Sequence, residues 1–227
     1  MQHFSKTVLT ASLTLAAVLV GASASAQVAG TFSARAGVTH IAPQVTSGNL
    51  STPSFPGTTV DVGSASALTG GLNYMVTDHW AVDLPVGLPF KHNFYGDGAI
   101  AGTGKLGETK VVPATLFAQY RFGEANAQFR PYLGLGVTYS RFFKNRSTAA
   151  LTAVTGGNPA NPTTASIDNK WGLTPQVGFV WNFNERWFVD AAYYKSFLKT
   201  TTHLSSGQSI HIKLNPNVLA VGIGYRF

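Results

Sequence analysis

Apolar residues alternate one by one with small or polar residues through eight separate segments of this chain. The last segment shows the pattern most plainly. Leu219, Val221, Ile223, Tyr225 and Phe227 alternate with Ala220, Gly222, Gly224 and Arg226. Period two puts successive side chains on opposite faces of a strand, so each segment has one continuous apolar face. The other seven are Gly30–Ile41, Ala65–Val76, Trp80–Phe90, Glu108–Phe122, Arg130–Phe143, Trp171–Asn182 and Trp187–Ser196. Globular strands average about five or six residues, whereas a tilted strand crossing a bilayer needs about 9–11. These segments have the longer length.

The ends of the apolar faces point the same way. Trp80 and Phe90, Trp171 and Trp181, and Trp187 and Tyr193 bracket three of them. A strand that crosses hydrocarbon between two headgroup layers carries aromatics at both limits. Connections alternate in length. TDHW, GEANAQ and NFNER are short, while those near Pro43–Ser64, Lys91–Gly107, Asn145–Asn169 and Lys199–Gln208 are long and rich in Gly, Pro, Ser, Thr and Asn. Outer-membrane barrels have this asymmetry, with periplasmic turns and extracellular loops. An open sheet edge in lipid would leave unpaired N–H and C=O groups, so the sheet must close. The expectation is an all-β fold: an eight-stranded antiparallel transmembrane β-barrel with both termini periplasmic. Pro85, Pro113 and Pro175 fall inside strands and are expected to mark bulges or breaks, because proline removes a ladder hydrogen bond.

At the N-terminus, Lys6 precedes an apolar stretch from Val8 to Gly21, followed by Ala24-Ser25-Ala26. That is the three-part pattern of a cleavable signal peptide. Residues 1–26 are read as the signal and 27–227 as one barrel domain. Only 11% of residues are charged, against the roughly 25–35% of a water-covered surface. The outer-membrane lipid is the expected covering. The net charge of +7 comes from singly scattered Lys and Arg, without the basic groove and stacking aromatics of a nucleic-acid site. The excess fits strand ends near anionic headgroups.

No GxSxG or HExxH motif is present, and the histidines His40, His79, His92, His203 and His211 pair with no nucleophile at a recognisable spacing. No enzyme, cofactor or metal is expected. Facing the lumen, Arg35, Asp83, Arg121, Asp190 and Arg226 are read as a polar plug or as mutually satisfied buried charges. Phe117, Tyr194 and Leu198 are the expected ligand-lining side chains, with Gly134 and Gly136 leaving space beside them. Eight strands enclose room for side chains or one small ligand. Leu88 and Phe90 fall in the outward register.

Several stretches in order resemble one family: Ser33-Ala34-Arg35-Ala36-Gly37, Pro89-Phe90-Lys91-His92, Pro113-Ala114-Thr115-Leu116, Tyr120-Arg121-Phe122-Gly123, Phe129-Arg130-Pro131-Tyr132-Leu133-Gly134-Leu135-Gly136, Trp171-Gly172 with Gln176-Val177-Gly178, and Gly224-Tyr225-Arg226-Phe227. They resemble the OmpW family of small outer-membrane proteins, AlkL-like proteins included, over essentially the whole mature chain. The resemblance implies a narrow apolar channel that is entered from outside and closed toward the periplasm, with a lateral exit into the membrane. It implies passive movement of small hydrophobic molecules. The loop ALTAVTGGNPANPTTAS departs in composition, so substrate range does not carry over with the fold. Two other classes stay open on the residues alone: a structural or surface-recognition barrel whose loops bind a partner, and a polar-solute pore.

The resemblance also implies that the terminal Tyr225 and Phe227 pattern is read by the barrel-assembly machinery. Deleting Phe227 is therefore expected to lower the yield of inserted protein more than the stability of what inserts. Measuring heat-modifiable gel mobility and urea midpoints on membrane fractions separates the two. Normal insertion with a marked loss of stability would reduce Phe227 to a barrel-closing residue.

Overall fold

A computed structural model describes residues 27–227; the expected signal peptide lies outside the described residues. In chain order the strands are β1 (Phe32–Ala42), β2 (Thr46–Ser47), β3 (Thr58–Val62), β4 (Ala65–Met75), β5 (Trp80–Gly87), β6 (Phe90–Gly98), β7 (Lys105–Arg121), β8 (Phe129–Ser147), β9 (Ala165–Ile167), β10 (Lys170–Asn182), β11 (Trp187–Lys195), β12 (Lys199–Leu204), β13 (Ser209–Lys213) and β14 (Asn217–Arg226). One short helix, α1 (Ala149–Val154), lies between β8 and β9.

Eight of these strands form the barrel wall, in the order β5-β4-β1-β14-β11-β10-β8-β7, all antiparallel. First and last strands close the ring, pairing from Ser33↔Arg226 to Ala42↔Asn217. The alternation dictates the faces. Val38, Leu68, Leu133, Leu135, Leu219, Val221 and Ile223 each keep half or more of their surface exposed. So continuous an apolar exterior is tolerable only in lipid. At the turn end Trp80 packs on Tyr120, Trp187 on Tyr225 and Tyr225 on Phe227, and toward the loop end Tyr139 packs on Trp171. These are the two aromatic girdles.

The wall has one long unpaired seam. β5 pairs with β7 only from Trp80↔Tyr120 to Asp83↔Phe117, and β7 is next paired at Phe90↔Val111, by β6. Between them, Leu84 to Leu88 and Val112 to Leu116 have no partner across the gap. The Arg121 N–H donates to the His79 carbonyl on the β5 side, and the Phe122 N–H donates to Pro131 on the β8 side. Main-chain direction alternates along a strand, so Pro113 and Thr115 direct theirs into the seam. The Leu88 N–H reaches Leu68 on β4, so Pro85 and Gly87 do likewise from β5. The two prolines bring no N–H. Half of the donors that would otherwise be stranded in the seam are thereby absent, at the place where leaving them unpaired costs several kcal/mol each in hydrocarbon. Pro175 marks a second break: it precedes Gln176, where β10 stops pairing with β11.

Two expectations are corrected here. The long connections contain further strands. β7 and β8 run on past the girdle, β3 pairs with β6, and β2, β13, β12 and β9 form a separate small sheet. An apolar cluster including Leu50, Leu106, Leu151, Ile210 and Ile212 holds this loop end together. Phe90 is not an outward girdle residue either. It is 4% exposed while Leu88 is 60% exposed, because the break at Leu88-Pro89 resets the register and a one-residue shift reverses every face.

Candidate functional site

The barrel interior falls into two zones of opposite chemistry. The turn-end half is filled by ions and amides. Arg35 donates to both carboxylate oxygens of Asp83, at 2.5 and 2.8 Å, and its Nε lies 3.6 Å from Asp190. Asp190 also accepts from the Tyr132 hydroxyl at 3.1 Å. Asn73 donates to Asp83 and to Gln119, and Gln119 donates to Gln176 at 2.9 Å. Below them Arg121 donates to the Gln27 side chain, and Arg226 donates to Asn182 and lies over the Phe188 ring. The five plug residues expected from the alternation thus occupy one connected network.

Four arginines and two aspartates are buried in this half, all but Arg35 at 5% exposure or less. The surplus of positive charge is met by oxygen dipoles. Arg130 is fully buried and donates to the main-chain carbonyls of Gln27, Asp78 and Gly123. Arg226 donates to the carbonyl of Glu185. Arg130 and Gln27 were not among the expected plug residues. Arg130 has the inward parity of Tyr132, a usable signal, but Gln27 precedes the first strand and no periodicity reaches it.

Above the plug lies a cavity of about 320 Å³. Its base is a belt of hydroxyls. Thr115 bonds Thr138 at 2.8 Å, Thr138 bonds Thr174 at 2.7 Å, and Thr174 donates to Ser196 at 2.9 Å. Thr39 and Thr69 bond each other across the belt at 2.7 Å. Higher up, the walls are apolar, with Ile41, Phe90, Val111, Phe142, Leu214 and Val218 among the lining side chains. Among the described residues, no Asp, Glu, Lys or Arg lines the cavity. His92 is 5% exposed and donates from Nδ1 to the Gly63 carbonyl at 2.8 Å. Burial holds its imidazole below the ordinary range, so this wall is uncharged at neutral pH.

The cavity has two boundaries of interest. On the lipid side it reaches the seam, since Leu84, Val86 and Leu88 on one bank and Val112, Pro113 and Ala114 on the other all line it. Toward the loop end, Phe94, Thr202 and Ile212 separate it from a smaller pocket of about 60 Å³.

The expected ligand-lining residues divide. Tyr194 and Leu198 line the cavity. Phe117 is 1% exposed and lies against Tyr194, ring centroids 5.5 Å apart, so it packs beneath the cavity and outside its lining. Gly134 and Gly136 leave no free space. A Cβ on Gly136 would lie 2.5 Å from the Phe117 ring, and one on Gly134 would lie 2.6 Å from Gln176 Oε1. These glycines exist so that neighbouring large side chains fit. Phe90, Val111 and Ile41 are lining residues that the alternation did not single out.

Two stability outcomes follow. Asp83→Ala strands the Arg35 guanidinium beside Asp190 alone, and is expected to cost about 3–5 kcal/mol, the range for breaking a buried pair from one side; urea unfolding in detergent reads it. Gly136→Phe is expected to block assembly of the folded barrel, seen as loss of the heat-modifiable band. A folded Gly136→Phe protein of normal stability would show that the interior has slack there.

With this geometry in hand, the comparisons with known proteins agree. The sequence profile of the OmpW family matches residues 28–227. Outer membrane protein W of Vibrio cholerae is 34% identical over 220 residues, covering 95% of this chain and 97% of its own. The crystal structure of OprG from Pseudomonas aeruginosa superposes with a TM-score of 0.80 at 29% identity, over 89% of this chain and 98% of OprG. AlkL, solved by solid-state NMR in lipid bilayers, gives 0.64 at 25% identity, over 91% and 94%. An outer-membrane barrel of this kind is not an enzyme, and the chain belongs to the OmpW family.

Proposed function

We propose that this protein is a passive channel for small hydrophobic molecules, which enter from the loop end and leave sideways through the seam between β5 and β7 into the membrane. The observation that carries this reading is the joining of an apolar cavity of about 320 Å³ to an unpaired stretch of wall. Its volume is that of a small-ligand site, commonly about 300–1,000 Å³. An ion gains little there, because the lining among the described residues is apolar apart from Ser, Thr and Tyr hydroxyls and one neutral imidazole, with no ionised side chain. Straight passage through the barrel meets the plug, whose side chains would have to exchange buried ion pairs for water. The gap in the wall is the route with least to break.

In this reading the long connections are extracellular and both termini periplasmic, and the smaller pocket beyond Phe94 and Ile212 is the entrance. Orientation follows from the lengths of the connections, since barrels of this class have short periplasmic turns and longer outer loops. The hydroxyl belt marks the depth to which a ligand descends before it meets the plug.

Absence of native cysteine permits a clean test. Cysteines replace Val86 and Ala114, which would face each other if β5 and β7 continued in register. A short reducible thiol cross-linker then staples the seam. Uptake into liposomes is followed for a panel graded from alkanes to sugars. The expected outcome is fast uptake of apolar members only, slowed at least tenfold by the staple and restored by reduction. Apolar uptake indifferent to the staple removes the lateral exit. Sugar uptake at porin-like rates removes the hydrophobic channel altogether.

A further inference from the structure

We infer that the outer face of β6, β7 and β8, just beyond the loop-end girdle, binds the phosphorylated headgroup of an anionic membrane lipid. Lys91 on β6 stands directly opposite Lys110 on β7. Arg141 follows Tyr139 at the next outward position of β8 and pairs with Val112. Lys105 and Arg146 complete the group. A single carboxylate, Glu108, lies among these five cations. It takes Lys105 at 2.6 Å and Lys91 at 2.8 Å, with Arg146 at 3.9 Å. Hydrogen bonds from the two lysines hold Glu108 down at a pKa of about 2. It is therefore ionised and fully used at any physiological pH.

Lys110 and Arg141 have no carboxylate within 4.0 Å among the described residues. Other acids of this end lie elsewhere. Asp97 and Asp61 sit farther along the paired strands β3 and β6, and Asp168 faces Lys170 and His203. Like charges directly across a strand pair destabilise it by some tenths of a kcal/mol. Glu108 answers Lys91, Lys105 and Arg146, so Lys110 and Arg141 are left for an anion from outside the chain.

The position of the patch names the source. Tyr139 and Trp171 mark the level of the interface, and Val112, Ala114 and Leu116 descend from Lys110 on the same face. A ligand held by Lys110 and Arg141 has hydrocarbon directly below it. A lipid phosphate with its acyl chains along this wall satisfies both halves, and free phosphate satisfies only one. Each basic residue near an anionic lipid surface contributes about 1 kcal/mol. The patch also overlooks the upper end of the β5/β7 seam, so the bound lipid would be a fixed neighbour of the gap.

Trp171 is the tryptophan at this end; Trp80, Trp181 and Trp187 lie at the other girdle or its turns. With those three changed to Phe, the emission of Trp171 reports lipids bound near the patch. The protein is placed in vesicles of phosphatidylcholine or of an equimolar mixture with phosphatidylglycerol, one lipid at a time carrying brominated chains. Brominated phosphatidylglycerol is expected to quench Trp171 in strong preference to brominated phosphatidylcholine. The preference should drop roughly fivefold for each of Lys110→Gln and Arg141→Gln. Added inorganic phosphate at millimolar concentration should leave it unchanged. Equal quenching by the two lipids overturns the proposal, as does a preference that survives both substitutions. Loss of the preference on adding phosphate reassigns the patch to a free-anion site and overturns the lipid.

Discussion

Everything in this barrel depends on one rule of the bilayer: a main-chain N–H or C=O without a partner has no water to turn to. Closure of β1 on β14 follows from it, with ten consecutive pairs between the chain's first and last staves. The rule also makes the β5/β7 seam informative. A gap in a transmembrane sheet is costly in proportion to the groups stranded in it, and Pro85 and Pro113 remove two N–H donors where the cost would fall. Gly87 and Thr115 remain directed into the gap, so the seam is cheaper than an ordinary torn edge but not free of unpaired groups. Its location is therefore determined by sequence.

The interior obeys the same arithmetic for charges. Arg35, Asp83 and Asp190 form a compact charge cluster bonded by Asn73 and Tyr132, with Gln119 accepting from Asn73. Among the described residues the lower arginines have no carboxylate within 4.0 Å, and they rely on carbonyl and amide oxygens at the turns. Those carbonyls are the chain ends that a strand-turn geometry leaves over. Arginine, with its donors in a rigid fork, can collect several at once. The plug thus ties the turns to the wall, while the hydroxyl belt lets the polar zone end in groups that bond one another and require no charge above them.

How far the sequence could be read follows from which faces lipid constrains. Leu133, Leu135, Val137, Leu219, Val221 and Ile223 were legible because hydrocarbon admits no exception at their positions. Their inward neighbours Arg35, Asp83, Arg121, Asp190 and Arg226 were legible as the complement. Phe90 was not, since the register resets at Leu88-Pro89 and parity counted from Trp80 fails beyond it. Gly134 and Gly136 were read as space, but a missing side chain says nothing about which neighbour fills the gap; Phe117 and Gln176 do. Beyond the girdle β3, β6, β12 and β13 are shorter strands rich in Thr, Ser, Gly and His. Even where Ile210 and Ile212 alternate with Ser209, His211 and Lys213, the apolar face is too short to stand out from a loop. Gln27 enters the plug from outside any strand, and only the folded chain brings it to Arg121 and Arg130.

Transfer free energies give the cavity and the seam a direction. A hydrophobic molecule gains about 0.8 kcal/mol per methylene on leaving water, so one with six methylenes gains about 5 kcal/mol whether it goes into the apolar cavity or into lipid. Moving from cavity to lipid is then close to neutral. Moving from cavity to water at the turn end would return the whole gain and would in addition require parting Arg35 from Asp83. A site that bound its cargo much more tightly than lipid does would trap it. The walls of Ile41, Phe90, Val111 and Val218 over a belt of already paired hydroxyls provide burial without a strong specific bond. On the proposed route, such a surface would match hydrocarbon closely enough for exchange to run downhill from water to membrane, with no energy source other than the hydrophobic effect.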